Sequence, residues 1–287
     1  MDAVRAVVVT YNNEGTIEPC LASLQSQRAK AETRLTVVDN ASSDGTVEVV
    51  RRAFPSVQLL AQRTNLGFGP ANNVALRQCS EPLVLLINPD ARLGDGALAA
   101  LLADLDGDRQ VGAVGPRIEY PDGCPQVSFG PFPGLARDAA QRALVRGCQQ
   151  RSPQALARVR SLLAAPFEPD WISAACMLAR MEALAGVGFF DEEFFLYFED
   201  VDLCRRLRTA GWRVRVQPAA RCAHSEGHSH AESGRMKEHF RRSRLLYENK
   251  HGSRLGFLLY KLLRARDCEL KYDGARRLAP SKRVKGL

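Results

Sequence analysis

The sequence predicts an α/β fold with a mainly parallel sheet, and three observations predict it. Short apolar, β-branched runs alternate with segments of helical apolar spacing. The run LVLLI at 83–87 is apolar at every position, as a strand covered on both faces requires. Polar clusters follow three of the strands, at Thr10-Tyr11-Asn12, Asp39-Asn40 and Asn88-Pro89-Asp90. Parallel strands bring such clusters to one sheet edge, the carboxyl edge, where open α/β sheets bind ligands.

Residues 3–10 read as the first strand. Tyr11 to Gly15 form a loop, and Thr16 is placed to cap a helix whose Ile17, Cys20, Leu21 and Leu24 share a face. Strand two at 35–38, a turn at 41–45, a helix at 46–54 and a short strand at 57–60 follow. The Gly-rich loop 65–70 leads into a helix at 71–78. Strand 83–87 stops at Pro89, which has no N–H for the ladder. A helix over 96–105 and a strand over 111–116 come next. Residues 117–169 read as an insertion over the site, with a Pro/Gly segment at 130–134 and a helical hairpin at 135–163. Residues 170–183 return to a short strand and a helix start. A helix at 204–210 closes at Gly211, a natural C-terminal cap. Strand 213–218 leaves His224 just beyond its end. From 236 the chain reads as helical, with a second apolar helical stretch at 255–263 and a disordered last dozen residues. The expected organisation is a main domain over 1–234 and a basic helical extension over 235–287.

With 45% hydrophobic and 25% charged residues, the composition is that of an ordinary globular chain. No apolar run approaches the roughly 20 residues that span a bilayer. The N-terminus lacks the pattern of a signal peptide. No two of the eight cysteines stand as CxxC, so cysteine alone suggests no zinc site and the thiols are expected to be reduced and mostly buried in a cytoplasmic protein. Charge is uneven. Residues 235–287 hold 16 Lys+Arg against 5 Asp+Glu, whereas the preceding residues hold 24 against 27. A basic tail on a slightly acidic body suits a polyanion such as a membrane surface, a nucleic acid or a phosphorylated substrate.

The motifs VVVTYNNEGTI (7–17), VVDNASSDGT (37–46), NLGFGPANN (65–73), LLINPDA (85–91), DWISAACML (170–178) and FFLYFEDVDLCRRLRTAGW (194–212), in this order, resemble those of family 2 glycosyltransferases of GT-A fold, in the branch similar to bacterial rhamnosyltransferases. The resemblance covers roughly 3–230. It implies a Rossmann-like sheet flanked by helices. It also implies inverting transfer of a sugar from a nucleotide diphosphate donor to an acceptor hydroxyl. Thr10, Tyr11 and Asn12 match the loop lining the nucleotide pocket, and Asp39 the carboxylate that accepts from N3–H of uracil or thymine. Asn65, Gly67, Phe68 and Gly69 match the loop beside the diphosphate. Asp90 matches the second acid of the DxD motif and would hold Mg²⁺ or Mn²⁺ against the diphosphate. Asn88 stands where the first acid usually is, and an amide carbonyl is a weaker ligand. His224 resembles the family's late metal-ligating histidine, with His228 and His230 nearby. In Glu199-Asp200, Asp200 matches the general base, with Glu199 beside it disfavouring ionisation of both. Asp202 reads as support for the helix N-terminus. Trp171, Ser173, Ala174 and Cys176 match the sugar and acceptor pocket, which Ala174 narrows where relatives carry Gly.

The resemblance makes dTDP-rhamnose the first donor and UDP-sugars the next. The acceptor would be a lipid-linked or other saccharide in cell-surface polysaccharide synthesis, or a small molecule. Residues 236–266 mix cations with Leu, Phe and Tyr at helical spacing, which suits peripheral attachment to the inner face of the membrane, packing on the domain, or a homodimer contact. Two other classes fare worse. No G-x-G-x-x-G follows the first strand, as a dinucleotide oxidoreductase needs. No nucleic-acid-binding motif accompanies the basic tail.

Overall fold

The computed structural model describes residues 3–29, 32–225, 233–252, 257, 258 and 260. In chain order, β1 (Val4–Thr10), α1 (Ile17–Gln25), β2 (Thr33–Asp39), α2 (Thr46–Ala53) and β3 (Gln58–Ala61) come first. Next are α3 (Phe68–Leu76), β4 (Leu83–Ile87), β5 (Ala91–Leu93), α4 (Ala97–Gly107) and β6 (Val111–Glu119). The region read as an insertion holds β7 (Phe129–Gly130), α5 (Leu135–Gln149) and α6 (Pro153–Leu162). Then follow β8 (Trp171–Ile172), β9 (Cys176–Arg180), α7 (Met181–Gly186), α8 (Glu199–Thr209), β10 (Arg213–His224) and α9 (Ser233–His251).

Eight strands form one sheet in the order β3-β2-β1-β4-β9-β6-β10-β5, and β7 pairs with β8 in a small second sheet. The neighbours β3, β2, β1 and β4 are parallel, as are β6 and β10; β9 and β5 run the other way. Alternation along β1 shows why the sheet needs helices on both sides. Val4, Ala6 and Val8 face one apolar cluster, shared with Ile17, Leu21 and Leu24 of α1 and Leu98 and Leu101 of α4. Val7 and Val9 face a second, shared with Ala71 and Ala75 of α3 and Leu203 and Leu207 of α8. A third, smaller cluster joins Phe194, Phe198 and Val201 to Tyr247 of α9.

Several boundaries differ from expectation. Thr16 precedes α1 but its hydroxyl does not cap it; the Asn13 carbonyl accepts from the Thr16 and Ile17 N–H groups, both at 3.0 Å. The strand β5 was not expected: three residues carry too little alternation to read, although Ala91 and Leu93 are buried around exposed Arg92. The strand β10 runs on past Pro218 to His224, because a register shift between Gln217 and Arg221 lets the ladder skip the proline. The helix α8 begins at Glu199, not at 204, and Gly211 follows it at φ +91°, as a C-terminal cap requires. Among the described residues, Cys20, Cys148, Cys176, Cys204 and Cys222 are buried and no disulfide forms. No helix among them is long and apolar enough to cross a membrane. His228 and His230, most of the apolar stretch at 255–263 and the last dozen residues lie outside the described residues.

Candidate active site

Topology assembles the site. Thr10 and Asp39 are register partners at the ends of β1 and β2, and Ile87 ends β4 beside Val8. The three polar clusters therefore share one edge of the sheet, as the strand pattern required. The strand β9 lies antiparallel to β4, which brings the loop before it to the same edge; Asn88 N–H donates to the Ala175 carbonyl at 2.9 Å. The strand β5 turns back after Asp90 and pairs with the end of β10, so that Ala91 faces His224 in register.

The nucleotide-side residues form a shelf of interlocked loops. Thr10 Oγ1 and the Tyr11 N–H both donate to Asn13 Oδ1, at 3.1 and 3.0 Å. Asn12, at φ +56°, receives Ser43 N–H at Oδ1 and gives its own N–H to Ser42 Oγ. Tyr11 is left with an exposed ring. Asp39 is buried; its Oδ2 accepts from Ser42 N–H, and its Oδ1 has no partner among the described residues. An unsatisfied buried acceptor at this edge is what an N–H donor on a base would complete.

The loop 65–69 also packs closely against another segment of the chain. Asn65 Oδ1 accepts from Gly67 N–H, and Asn40 holds the loop through the Leu66 N–H and the Gly67 carbonyl. Gly67 sits at φ +90°, where a Cβ would stand 2.3 Å from the Phe195 carbonyl oxygen. A Cβ on Gly69 would meet Phe190. The close approach these glycines permit is thus to the segment 190–195, and the Phe68 N–H seals it by donating to Phe195 O at 2.8 Å.

A cavity of about 800 Å³ lies alongside, lined by Phe68, Asn88, Asp90, Trp171, Ser173, Ala174, Glu199, Asp200 and His224. His224 Nε2 is 3.2 Å from Asp90 Oδ1 and 3.3 Å from Asn88 Nδ2. Gln126 fixes the ring from behind. Its Nε2 donates to the His224 carbonyl at 2.6 Å, which turns its Oε1 toward Nδ1 at 3.0 Å. Nδ1 is therefore a protonated nitrogen directed at Gln126, and Nε2 is the ring atom that faces Asp90. Among the described residues no group of three or more His, Cys, Asp or Glu gathers around a metal position. One carboxylate and one imidazole fit a cation that takes its other ligands from a diphosphate and water.

Asp200 is held by its neighbours. The Val201 N–H donates to Oδ1 at 2.8 Å and the Ala174 N–H to Oδ2 at 3.3 Å, and Ser173 adds a hydrogen bond. Burial pushes the Asp200 carboxyl above its usual value, and these hydrogen bonds pull against that rise. Glu199 is pushed well up, first by burial and then by the Asp200 charge, and its Oε2 has no partner among the described residues. Glu199 is thus the more strongly raised of the two, and Asp200 is the one whose charge its hydrogen-bond donors support. Tyr197 and Phe198 precede it at φ +69° and +66°, a backbone region that aromatic residues rarely adopt.

One expectation is corrected here. Cys176 does not reach the cavity; it is buried in the core against Cys222, with Cys20 close by. Asp202 stands in the first turn of α8, as expected, and also pairs with Arg206 at 2.7 Å and with His251 of α9 at 2.6 Å. Trp171 holds the Pro131 carbonyl through Nε1, tying its strand to the inserted region. The insertion was expected over the site, and α5 lines the cavity; Gln126 and the cavity-facing side of α9 were not foreseen. A lone glutamine in an irregular stretch carries no pattern, and the charge of α9 pointed outward rather than into the site.

The chain matches the family described as glycosyl transferase family 2 over residues 6–157. It is 35% identical over 240 residues to an N-acetylglucosaminyl-diphospho-decaprenol L-rhamnosyltransferase of Mycobacterium tuberculosis, covering 79% of this chain and 78% of the relative. A 59-residue stretch is 41% identical to the rhamnosyltransferase WbbL of Escherichia coli K12, covering 21% of this chain and 22% of that one. A mannosyltransferase from Pyrobaculum calidifontis, solved with GDP-Man and Mn²⁺, superposes with a TM-score of 0.55 at 22% identity, over 82% of this chain and 60% of that one. Staphylococcus aureus TarS solved with UDP gives 0.54 at 22% identity, over 77% of this chain and 60% of that one. At such identities the superpositions speak for the fold. The family match over more than half the chain, with the long mycobacterial match, shows that this chain belongs to glycosyl transferase family 2 and is a glycosyltransferase of GT-A fold.

Proposed function

We propose that this enzyme transfers a sugar, rhamnose first among the candidates, from a nucleoside diphosphate donor to a hydroxyl of a lipid-linked saccharide, with inversion, at the cytoplasmic face of the membrane. The observation that carries it is the joint lining of one cavity by Asp200, Asp90 and His224. The long match to a rhamnosyltransferase whose name specifies a diphospho-decaprenol acceptor supports the choice of donor and acceptor.

The residues divide the work. The Asp39 acceptor and the exposed Tyr11 ring suit a pyrimidine base. Asp90 and His224 would hold Mg²⁺ or Mn²⁺, with Gln126 fixing the ring and Asn88 beside it. When bound, such a cation neutralises charge on the departing nucleoside diphosphate. Asp200 accepts the proton of the acceptor hydroxyl as its oxygen attacks the anomeric carbon. Burial raises its basicity toward the working pH, while the Ala174 and Val201 N–H groups fix its direction. Glu199 stays protonated and so adds no second negative charge beside the base.

The test is a panel of dTDP- and UDP-sugars scored for nucleotide release, with and without Mn²⁺ or Mg²⁺, on an N-acetylglucosaminyl diphosphate lipid. Metal-dependent turnover of dTDP-rhamnose on that acceptor is expected. Turnover of a UDP-hexose on a small glycoside alone would replace this reading with that of a small-molecule transferase.

A further inference from the structure

The catalytic cavity has an acidic floor and a basic rim. The floor is Asp90 and Asp200; the rim is cut from two helices far apart in sequence, α5 and α9. On α5, Arg142 and Arg146 face the cavity four residues apart, and on α9 Lys237 and Arg241 do the same. All four are exposed, and among the described residues none of their side chains has an ion pair or hydrogen bond. The contrast with other arginines is sharp: Arg5, Arg206, Arg215 and Arg244 are each paired with carboxylates. Like charges at i,i+4 destabilise a helix unless an anion lies between them.

The two cation pairs are held near each other by a buried bridge. Arg244 of α9, only 4% exposed, reaches Asp138 of α5 at 2.7 Å and Glu248 at 2.5 Å. Arg142 follows Asp138 by four residues and Arg241 precedes Arg244 by three, so each pair starts one turn from the bridge. Apolar side chains, Val145 and the 48% exposed Phe240, share the same lining. A ligand for this rim carries negative charge and an apolar body together.

We infer that Arg142, Arg146, Lys237 and Arg241 form the subsite for the diphosphate of a prenyl-diphosphate-linked acceptor, with the prenyl chain against Val145 and Phe240. This rests on the reading of the chain as a transferase acting on a lipid-linked saccharide. The donor's diphosphate belongs with Asp90 and His224, so the rim serves a second anion. Bidentate guanidinium–phosphate pairs suit the two arginine-bearing faces.

Farnesyl diphosphate is the probe, titrated into the full chain by calorimetry beside inorganic diphosphate and farnesol. Wild type is expected to bind farnesyl diphosphate more tightly than either fragment. Arg142→Gln with Arg146→Gln, and separately Lys237→Gln with Arg241→Gln, are each expected to weaken it about tenfold or more, since each removes two charge-assisted contacts. Phe240→Ser is expected to weaken farnesyl diphosphate and leave inorganic diphosphate unchanged. Equal affinity in wild type and both charge variants overturns the inference, as does inorganic diphosphate matching farnesyl diphosphate. Phosphatidylglycerol vesicles are a further probe, and charge variants that lose binding to them but not to farnesyl diphosphate overturn the inference in favour of a membrane-facing patch. Titration of dTDP and UDP keeps the two readings apart. Failure of the lipid arm with nucleotide binding intact removes only this subsite, whereas absence of any nucleotide binding removes the transferase reading beneath it.

Discussion

The proposed donor half and the proposed acceptor half of the site are built in different ways. The donor half stands at the ends of β1, β2 and β4, three adjacent parallel strands, the last of them apolar at every position. Its polar residues follow directly in sequence, within three positions of each strand end. The acceptor half draws on the loop before β9, the start of α8, the inserted α5 and the distant α9. Contacts there span large separations, such as Ala174 to Asp200 and Arg244 to Asp138. The difference teaches that a site written into strand ends is readable residue by residue, while one made by docked helices is readable only where a local motif survives.

The largest effect should fall on the acceptor half. Asp200→Asn is expected to cut kcat by about 10²–10⁴-fold, the usual worth of a general base, with nucleotide affinity unchanged in calorimetry. A retained kcat would move the base elsewhere. On the donor half, Gln126→Leu leaves the metal-facing atoms in place but frees the His224 ring. It is expected to weaken Mn²⁺ affinity by about 10–100-fold, read by paramagnetic resonance of free Mn²⁺. An unchanged affinity would show that His224 needs no positioning.

Gly67→Ala probes the seam between the halves. A Cβ there collides with the Phe195 carbonyl on a backbone at φ +90°. The expected cost is about 2–4 kcal/mol from strain and overpacking, measured by urea denaturation. A near-wild-type midpoint would mean that the loop can leave the 190–195 segment freely.

The smallest effect concerns Glu199. The folded state holds its proton more tightly than the unfolded chain does, because burial and Asp200 raise it well above 4.5. Its contribution to stability is full below that ordinary value and is lost as pH rises through the raised folded value. Glu199→Gln removes this loss. The Tm of the variant relative to wild type should therefore climb as pH rises above the ordinary carboxyl value of 4.5 toward the raised folded value. A pH-independent difference would mean that Glu199 is ionised in the folded protein.

The sequence made the α/β class and the shared carboxyl edge legible, because a run such as 83–87 admits little but a doubly covered strand. Resemblance in motif order pointed to Asp39, Asp90, Asp200 and His224, and the last three line one cavity. The resemblance misplaced Cys176, since matching a whole segment does not say which side chains of a five-residue strand meet a cavity and which the core. The strand pattern missed β5 and the extension of β10, where a register shift overrides a proline that ordinarily ends a ladder. The role of α9 was obscured by its charge: its buried face consists of Ser243, Arg244, Tyr247 and Glu248, which read as surface residues until their partners are known. Asp138, Leu196 and Arg205 supply those partners from distant parts of the chain.

The central claim is that one cavity separates a proton-accepting carboxylate, Asp200, from a donor-holding pair, Asp90 and His224. Nucleotide affinity in the presence of Mn²⁺ and turnover, measured together on Asp200→Asn and Asp90→Asn, test it most directly. Asp200→Asn should keep nucleotide affinity and lose turnover, while Asp90→Asn should lose the metal-dependent part of the affinity as well. Loss of affinity in Asp200→Asn, or turnover surviving in it, would contradict that division of labour.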